Sequence, residues 1–138
     1  MNAEDRMLAA LRWIILGAVV FVAIMFAVVA AFAHDHDHPE LDQWYAGLMQ
    51  PDNPKASCCG KADAYWCDTI NVKDGKTFCT ITDDRDDAPL GRPHVAIGTQ
   101  VEIPNHKLKW DRGNPTGHAV VFLSTAGFVW CFVQAGGV

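Results

Sequence analysis

The sequence predicts a mostly β domain, a small antiparallel sandwich or partly open barrel of about six strands, set behind an N-terminal apolar helix and one short amphipathic helix. Three observations predict it. Past Ser57 the apolar residues fall in short runs rich in β-branched and aromatic side chains. Gly, Pro, Asp and Asn turn chemistry separates those runs, and the connections are too short for an α/β fold. The one long apolar run, residues 14–33, lies wholly ahead of them. With 138 residues, 50% of them hydrophobic, the chain has room for a single domain beside that run, which excludes a multidomain enzyme.

Residues 1–33 come first. Glu4, Asp5, Arg6 and Arg12 precede twenty residues, Ile14 to Ala33, that hold no charge. Twenty helical residues span about 30 Å, the thickness of a bilayer's hydrocarbon core. The run ends in Ala31-Phe32-Ala33, the small-x-small pattern that a signal peptidase accepts, with His34 as the first mature residue. Its length favours a retained signal-anchor transmembrane helix and its end favours a cleaved signal peptide; both readings stay open. In either case the arginines lie ahead of the run, and no Lys or Arg follows it until Lys55. The positive-inside rule then places the N-terminus in the cytoplasm and the rest in the periplasm, or on the periplasmic face of the inner membrane. If uncleaved, residues 14–33 make the membrane itself a partner.

Residues 34–57 form a His-rich linker and one short helix. Pro39 suits a first helical turn, and Glu40 and Asp42 suit the positive end of the helix dipole. Leu41, Trp44, Tyr45 and Leu48 fall at i, i+3, i+4 and i+7, giving one apolar stripe, and Pro51 and Pro54 end it.

Residues 58–138 form the disulfide-containing β domain. Ala64 to Val72 and Lys76 to Thr82 flank Lys73-Asp74-Gly75, where Asp-Gly supplies the positive φ a tight hairpin requires. Further runs are Val95 to Ile97, Gln100 to Ile103, His118 to Leu123 and Phe128 to Val133. Two longer loops interrupt them, Asp83 to Pro93 and Pro104 to Gly117.

All five cysteines, Cys58, Cys59, Cys67, Cys79 and Cys131, lie in the exported part, where an oxidising compartment favours structural disulfides. Five cannot all pair within one chain. Cys131 sits in the last strand, and closing a loop of about seventy residues to Cys58 or Cys59 contributes on the order of 4 kcal/mol in the chain-entropy model. The adjacent Cys58 and Cys59 are expected in two different ordinary disulfides, although neighbouring thiols also chelate soft metals or close a strained ring. The hairpin sets Cys79 opposite Ile70 or Thr69, so a direct cross-strand bridge from Cys67 needs a register shift or bulge. No C-x-x-C or C-x-x-C-H is present, which removes the usual thioredoxin and haem c motifs.

His34, His36 and His38 alternate with Asp35 and Asp37 and are the candidate metal ligands, since imidazole suits Cu, Zn and Ni. Cleavage after Ala33 would give His34 a free amine and make His36 the third residue. That is a square-planar donor set for Cu(II) or Ni(II). Without cleavage a looser cluster of three imidazoles remains, and the competing reading is a solvated spacer.

Other chemistry is thin. Asp83, Asp84, Asp86 and Asp87 lack calcium-loop spacing and read as a solvated loop facing Lys107, Lys109 and Arg112 in surface pairs. His94, His106 and His118 serve as bases or ligands only if the fold gathers them, and Cys59, His118 and Asp111 make a thiol arrangement of low specificity. No G-x-S-x-G, P-loop, H-E-x-x-H or Rossmann fingerprint occurs. A net charge of −5 with no basic stripe excludes nucleic acid as the default partner.

The exported part resembles a group of small secreted, periplasmic proteins of alphaproteobacteria. The resemblance rests on Trp44-Tyr45 ahead of the Pro-containing linker, Ser57-Cys58-Cys59-Gly60 with Ala62-Asp63, and Ile103-Pro104 through Lys109. Asn114-Pro115-Thr116-Gly117-His118 and Cys131-Phe132 ahead of Gly136-Gly137-Val138 complete it, over residues 44–138. It implies a periplasmic, disulfide-containing, non-catalytic protein, and it brings no activity with it. Cys67 and Cys79 stand outside the group's pattern, which implies a private second bridge between them, against the register argument. The expectation is a periplasm-facing accessory or binding protein with Cu, Zn or Ni at its His-rich start. The alternatives are a single-span subunit packing against a larger membrane-protein partner, and a thiol-dependent enzyme with a free cysteine beside a histidine.

Overall fold

The computed structural model describes residues 12–21 and 38–136. The chain divides into two compact units, Met1–Phe32 and Ala33–Val138. In the first, residues 12–21 are helical with exposed side chains. Among the described residues no helix is long and apolar enough to cross a membrane. Residues 22–33 of the apolar run, with the Ala31-Phe32-Ala33 site, lie outside the described residues.

The second unit is mostly sheet. A 3-10 turn, Pro39–Leu41, runs into α1 (Asp42–Gly47). There follow β1 (Ala62–Trp66), β2 (Thr69–Lys73), β3 (Lys76–Thr80), a short α2 (Asp87–Leu90), β4 (Gln100–Ile103), β5 (Leu108–Lys109), β6 (Val120–Ser124) and β7 (Val129–Val133). One sheet has the order β1-β6-β7-β5 and the other β2-β3-β4; among the described residues neither closes into a barrel.

The hairpin forms as the sequence demands. Lys73 pairs with Lys76 around Asp74 at φ 51° and Gly75 at φ 74°, the two positive values that a type I′ turn requires. Ile70 faces Cys79, the expected register. The amphipathic helix also forms, with Tyr45 and Leu48 buried and Leu41 and Trp44 packed beside them.

Three expectations about strands are corrected. The run Ala64 to Val72 is two strands, because the chain turns at Asp68, whose carboxylate accepts the Ala119 N–H at 2.8 Å and the Thr82 hydroxyl at 2.9 Å. β1 therefore joins β6, and β2 joins β3 in the other sheet. Val95 to Ile97 is not a strand: a turn from Thr99 N–H to Ala96 C=O and a bond from Gly98 N–H to Ile81 C=O take its place, while Val95 packs on the core. The sheets are not wholly antiparallel, since the long loop after Pro104 contains β5, which runs parallel to β7. β7 lies between β5 and β6 in the sheet, so these two strands, neighbours along the chain, do not pair with each other. Seven strands replace the expected six.

The two sheets share one core, in which Tyr65, Val121, Leu123 and Phe132 of the larger sheet meet Cys79 and Ile103 of the smaller. The opposite face of the larger sheet, with Ala62, Val120, Phe122 and Val133, is covered by Tyr45 and Leu48. β6 is thus apolar on both faces and Val120 to Leu123 are all buried. Each hydrophobic cluster contains one disulfide. Cys58–Cys131, 73 residues apart, ties the helix layer to β7, and Cys67–Cys79 crosses the core between the sheets. The register argument against the second bridge assumed that Cys67 continues the β2 strand. It lies before the turn at Asp68, outside that ladder, and meets Cys79 from the other layer.

Candidate functional site

Two neighbouring arrangements carry the polar chemistry of the domain. The first covers the free edge of β1. As an outer strand of the larger sheet, β1 turns the Ala64 carbonyl and the Trp66 N–H away from β6. The Asp83 side chain, only 1% exposed, accepts the Trp66 N–H at 3.0 Å. Arg92, 3% exposed, donates through Nη1 to both the Ala64 carbonyl and Asp83 Oδ2 at 2.7 Å. Arg85 forks onto both oxygens of Asp83, and Asp87 links Arg92 to His94. Burial alone would raise the Asp83 pKa; the bonds from Arg85, Arg92 and Trp66 outweigh it and hold the carboxyl far below its ordinary range. The expectation of a solvated loop facing Lys107 holds in part: Asp84 and Asp86 are exposed, whereas Asp83 is buried and Asp87 is half-buried. Lys107 donates to Asp52 and Gln50, and Asp83 and Asp87 meet Arg85 and Arg92 of their own segment. The signal lay in Arg85 within the acidic run and Arg92 five residues past Asp87. Buried carboxylates require such partners.

The second is a cavity of about 290 Å³, walled by His38, Glu40, Trp66, Arg85, Thr116 and His118 among others. His118 arrives at the end of the Asn114-Pro115-Thr116-Gly117 loop. Asn114, buried, donates to the carbonyls of His118 and Gln134 at 2.8 Å and accepts from Thr116, so one amide clamps the loop to the exit of β7. Gly117 supplies φ 73° at the turn. The His118 ring stacks on Trp66, with centroids 3.9 Å apart and planes 12° from parallel. Its Nδ1 lies 2.8 Å from Asp68 Oδ2. Burial again works against the Asp68 charge, but the bonds from His118, Ala119 and Thr82 prevail and lower its pKa. An ionised Asp68 accepts the Nδ1–H and leaves the lone pair of the neutral ring on Nε2. Among the described residues that Nε2 has no hydrogen-bond partner. The arrangement can bind a proton or a metal ion at one defined atom.

Of the candidate metal ligands, His34 and His36 lie outside the described residues. His38 lines the cavity with its Nδ1 2.9 Å from Glu40. Among the described residues no group of three His, Cys, Asp or Glu is placed to hold a metal ion. The fold does not gather His94, His106 and His118: their carboxylate neighbours are Asp87, Asp52 and Asp68 respectively. The Cys59, His118 and Asp111 arrangement does not form either, because the Cys59 thiol donates to the Tyr45 carbonyl and Asp111 accepts from the Trp44 indole. Cys59 is the free thiol, contrary to the expectation that it pairs, and burial pushes its pKa up to about 12 despite an opposing bond from Ser57. Sequence reading passed over Asp68 and Trp66 and met Asn114 only within the resemblance motif, since what gives them importance is contact with residues distant along the chain.

A separate groove of about 480 Å³ runs along β4 and the β6–β7 hairpin, lined by Val95, Val101, Pro104, Leu123, Phe128 and Val129 among others. No family model, curated protein or solved structure matches this chain.

Proposed function

We propose that the chain is a non-catalytic, periplasm-facing accessory or binding protein that takes a Cu, Zn or Ni ion at its histidine-rich start, His34, His36 and His38. The observation that carries this reading is the position of His38 on the cavity wall with a carboxylate, Glu40, on its Nδ1. A carboxylate on the second ring nitrogen is the usual companion of a metal-ligating histidine, fixing its tautomer and raising its basicity. Two disulfides and the apolar run with arginines ahead of it support the export-side location. The experiment is a calorimetric titration of the full chain with Cu(II) and with Zn(II). Saturable uptake is expected, weakened by at least about tenfold in the variant His34→Ala/His36→Ala. Wild type that takes up neither metal saturably refutes the reading.

A second reading, a single-span subunit packing against a larger membrane complex, is favoured by the apolar groove, beside which Phe128 is 71% exposed. It predicts that the detergent-extracted chain co-migrates with a partner protein.

A further inference from the structure

We infer that β4 is the edge through which two copies of this chain pair, an inference that goes beyond both readings above. A sheet edge with unpaired backbone groups templates a further strand, and the two sheets end in β1, β5, β2 and β4. β1 is closed by Asp83 and Arg92, and β5 is only two residues long. β2 exposes Ile70 and Val72, but the antiparallel register that sets Ile70 against the partner's Val72 also sets Asp68 against the partner's Asp74, like charge on like. β4 has no such conflict. Beside its ladder with β3 the Ile81 N–H donates to the Thr99 carbonyl at 2.9 Å, and bonded pairs alternate from there, so Val101 and Ile103 bond to β3. The N–H and C=O groups of Gln100 and Glu102 therefore point away from β3, and among the described residues no backbone group meets them.

A second β4 laid antiparallel across a twofold axis at Val101 satisfies them. Gln100 then exchanges both backbone bonds with the partner's Glu102, and Glu102 does the same with the partner's Gln100. On the exposed outer face each Gln100 amide lies beside the partner's Glu102 carboxylate, a favourable cross-strand pair in which no like charges are opposed. Pro104, which has no N–H, ends the pairing. The inner side of the edge opens on the groove of about 480 Å³ lined by Val101, Leu123 and Val129, with Phe128 71% exposed on its wall. Pairing sets the two grooves side by side. Burial of Phe128 and the partner's Phe128 in that seam supplies the apolar area that so short a ladder lacks.

The test is sedimentation equilibrium of the full chain in excess detergent over a range of concentrations, where a reversible dimer is expected. Gln100→Glu, at an exposed position, opposes two carboxylates at each pair across the axis and is expected to weaken association about tenfold. Gln100→Glu/Glu102→Gln restores it, because the same pair returns with its members exchanged. Gln100→Pro abolishes it, since the lost N–H belongs to the free edge and not to the ladder with β3. Val101→Cys, at the axis, cross-links the two copies on mild oxidation, whereas Val72→Cys on β2 does not. A monomer at every concentration overturns the inference, as does a dimer that is indifferent to Gln100→Glu and forms no cross-link at position 101. A monomer that co-migrates with a different protein overturns it as well and leaves the single-span reading standing.

Discussion

Replacing Asp83 by alanine tests the most consequential packing claim. In the folded protein the Asp83 carboxylate takes five donors, from Arg85, Arg92 and the Trp66 backbone, in a site where its side chain is 1% exposed. The truncation leaves the Arg92 guanidinium, 3% exposed, with only Asp87 and two backbone carbonyls, and orphans the Trp66 N–H on the β1 edge. Removing one partner of a buried pair costs about 3–5 kcal/mol; the ion pair that Arg92 keeps with Asp87 lowers that cost and the orphaned Trp66 amide raises it, so the same range is expected here. At a urea dependence of about 1.5 kcal/mol per molar, the unfolding midpoint falls by about 2–3 M. The assay is equilibrium urea unfolding by tryptophan fluorescence and far-UV circular dichroism at neutral pH.

The pH dependence has a definite sign. The folded pKa of Asp83 is depressed below its ordinary 3.8, so its contribution is fully present above that value and is lost as pH falls through the folded pKa. The gap between wild type and Asp83→Ala is therefore flat from neutrality down to about pH 4 and narrows only in stronger acid. Adding Arg92→Met to Asp83→Ala removes the unpaired charge and should recover part of the loss. A cost under about 1 kcal/mol, the range of an exposed ion pair, would refute the reasoning that these charges form a buried cover for the strand edge.

Three further outcomes are expected. Cys131→Ser opens the 73-residue loop and lowers stability by about 4 kcal/mol, against about 3 kcal/mol for Cys79→Ser with its separation of 12, both read from urea midpoints. The native Cys59 thiol, its pKa raised to about 12 by burial, resists iodoacetamide at pH 8 and is alkylated as the sole thiol on unfolding without reductant; rapid native alkylation would contradict its environment. Gly136→Ala puts a methyl group onto the Asn114 carbonyl oxygen and costs about 1–3 kcal/mol in thermal unfolding, because that backbone is clamped by Asn114 and has no side chain to rotate aside.

The elements whose cause is local were legible from residue order. The Asp74-Gly75 turn sets its own register, and the helix stripe from Leu41 to Leu48 needs only a 3.6-residue period. The bridge from Cys131 back to the Cys58-Cys59 pair was legible from the long loop it closes, although the choice between Cys58 and Cys59 was open. The acidic loop was misread, because composition does not reveal whether a charge meets solvent or a buried arginine. The candidate site was half legible. The alternating histidines are visible in the sequence, whereas His118 looks like any other histidine until Asp68 and Trp66 are placed beside it.

Residue order by itself determined a mostly β domain behind an apolar run, its tight hairpin, its short helix and the need for disulfides, because periodicity and turn chemistry act over a few residues. Tertiary structure alone decided that the chain changes sheets at Asp68, that Cys67 meets Cys79 from the opposite layer, and that Asp83 and Arg92 close the edge of β1. It also decided the setting of His118, whose partner Asp68 is 50 residues away along the chain. Contacts at that separation depend on how the two sheets stack, and no local pattern of side chains encodes the stacking.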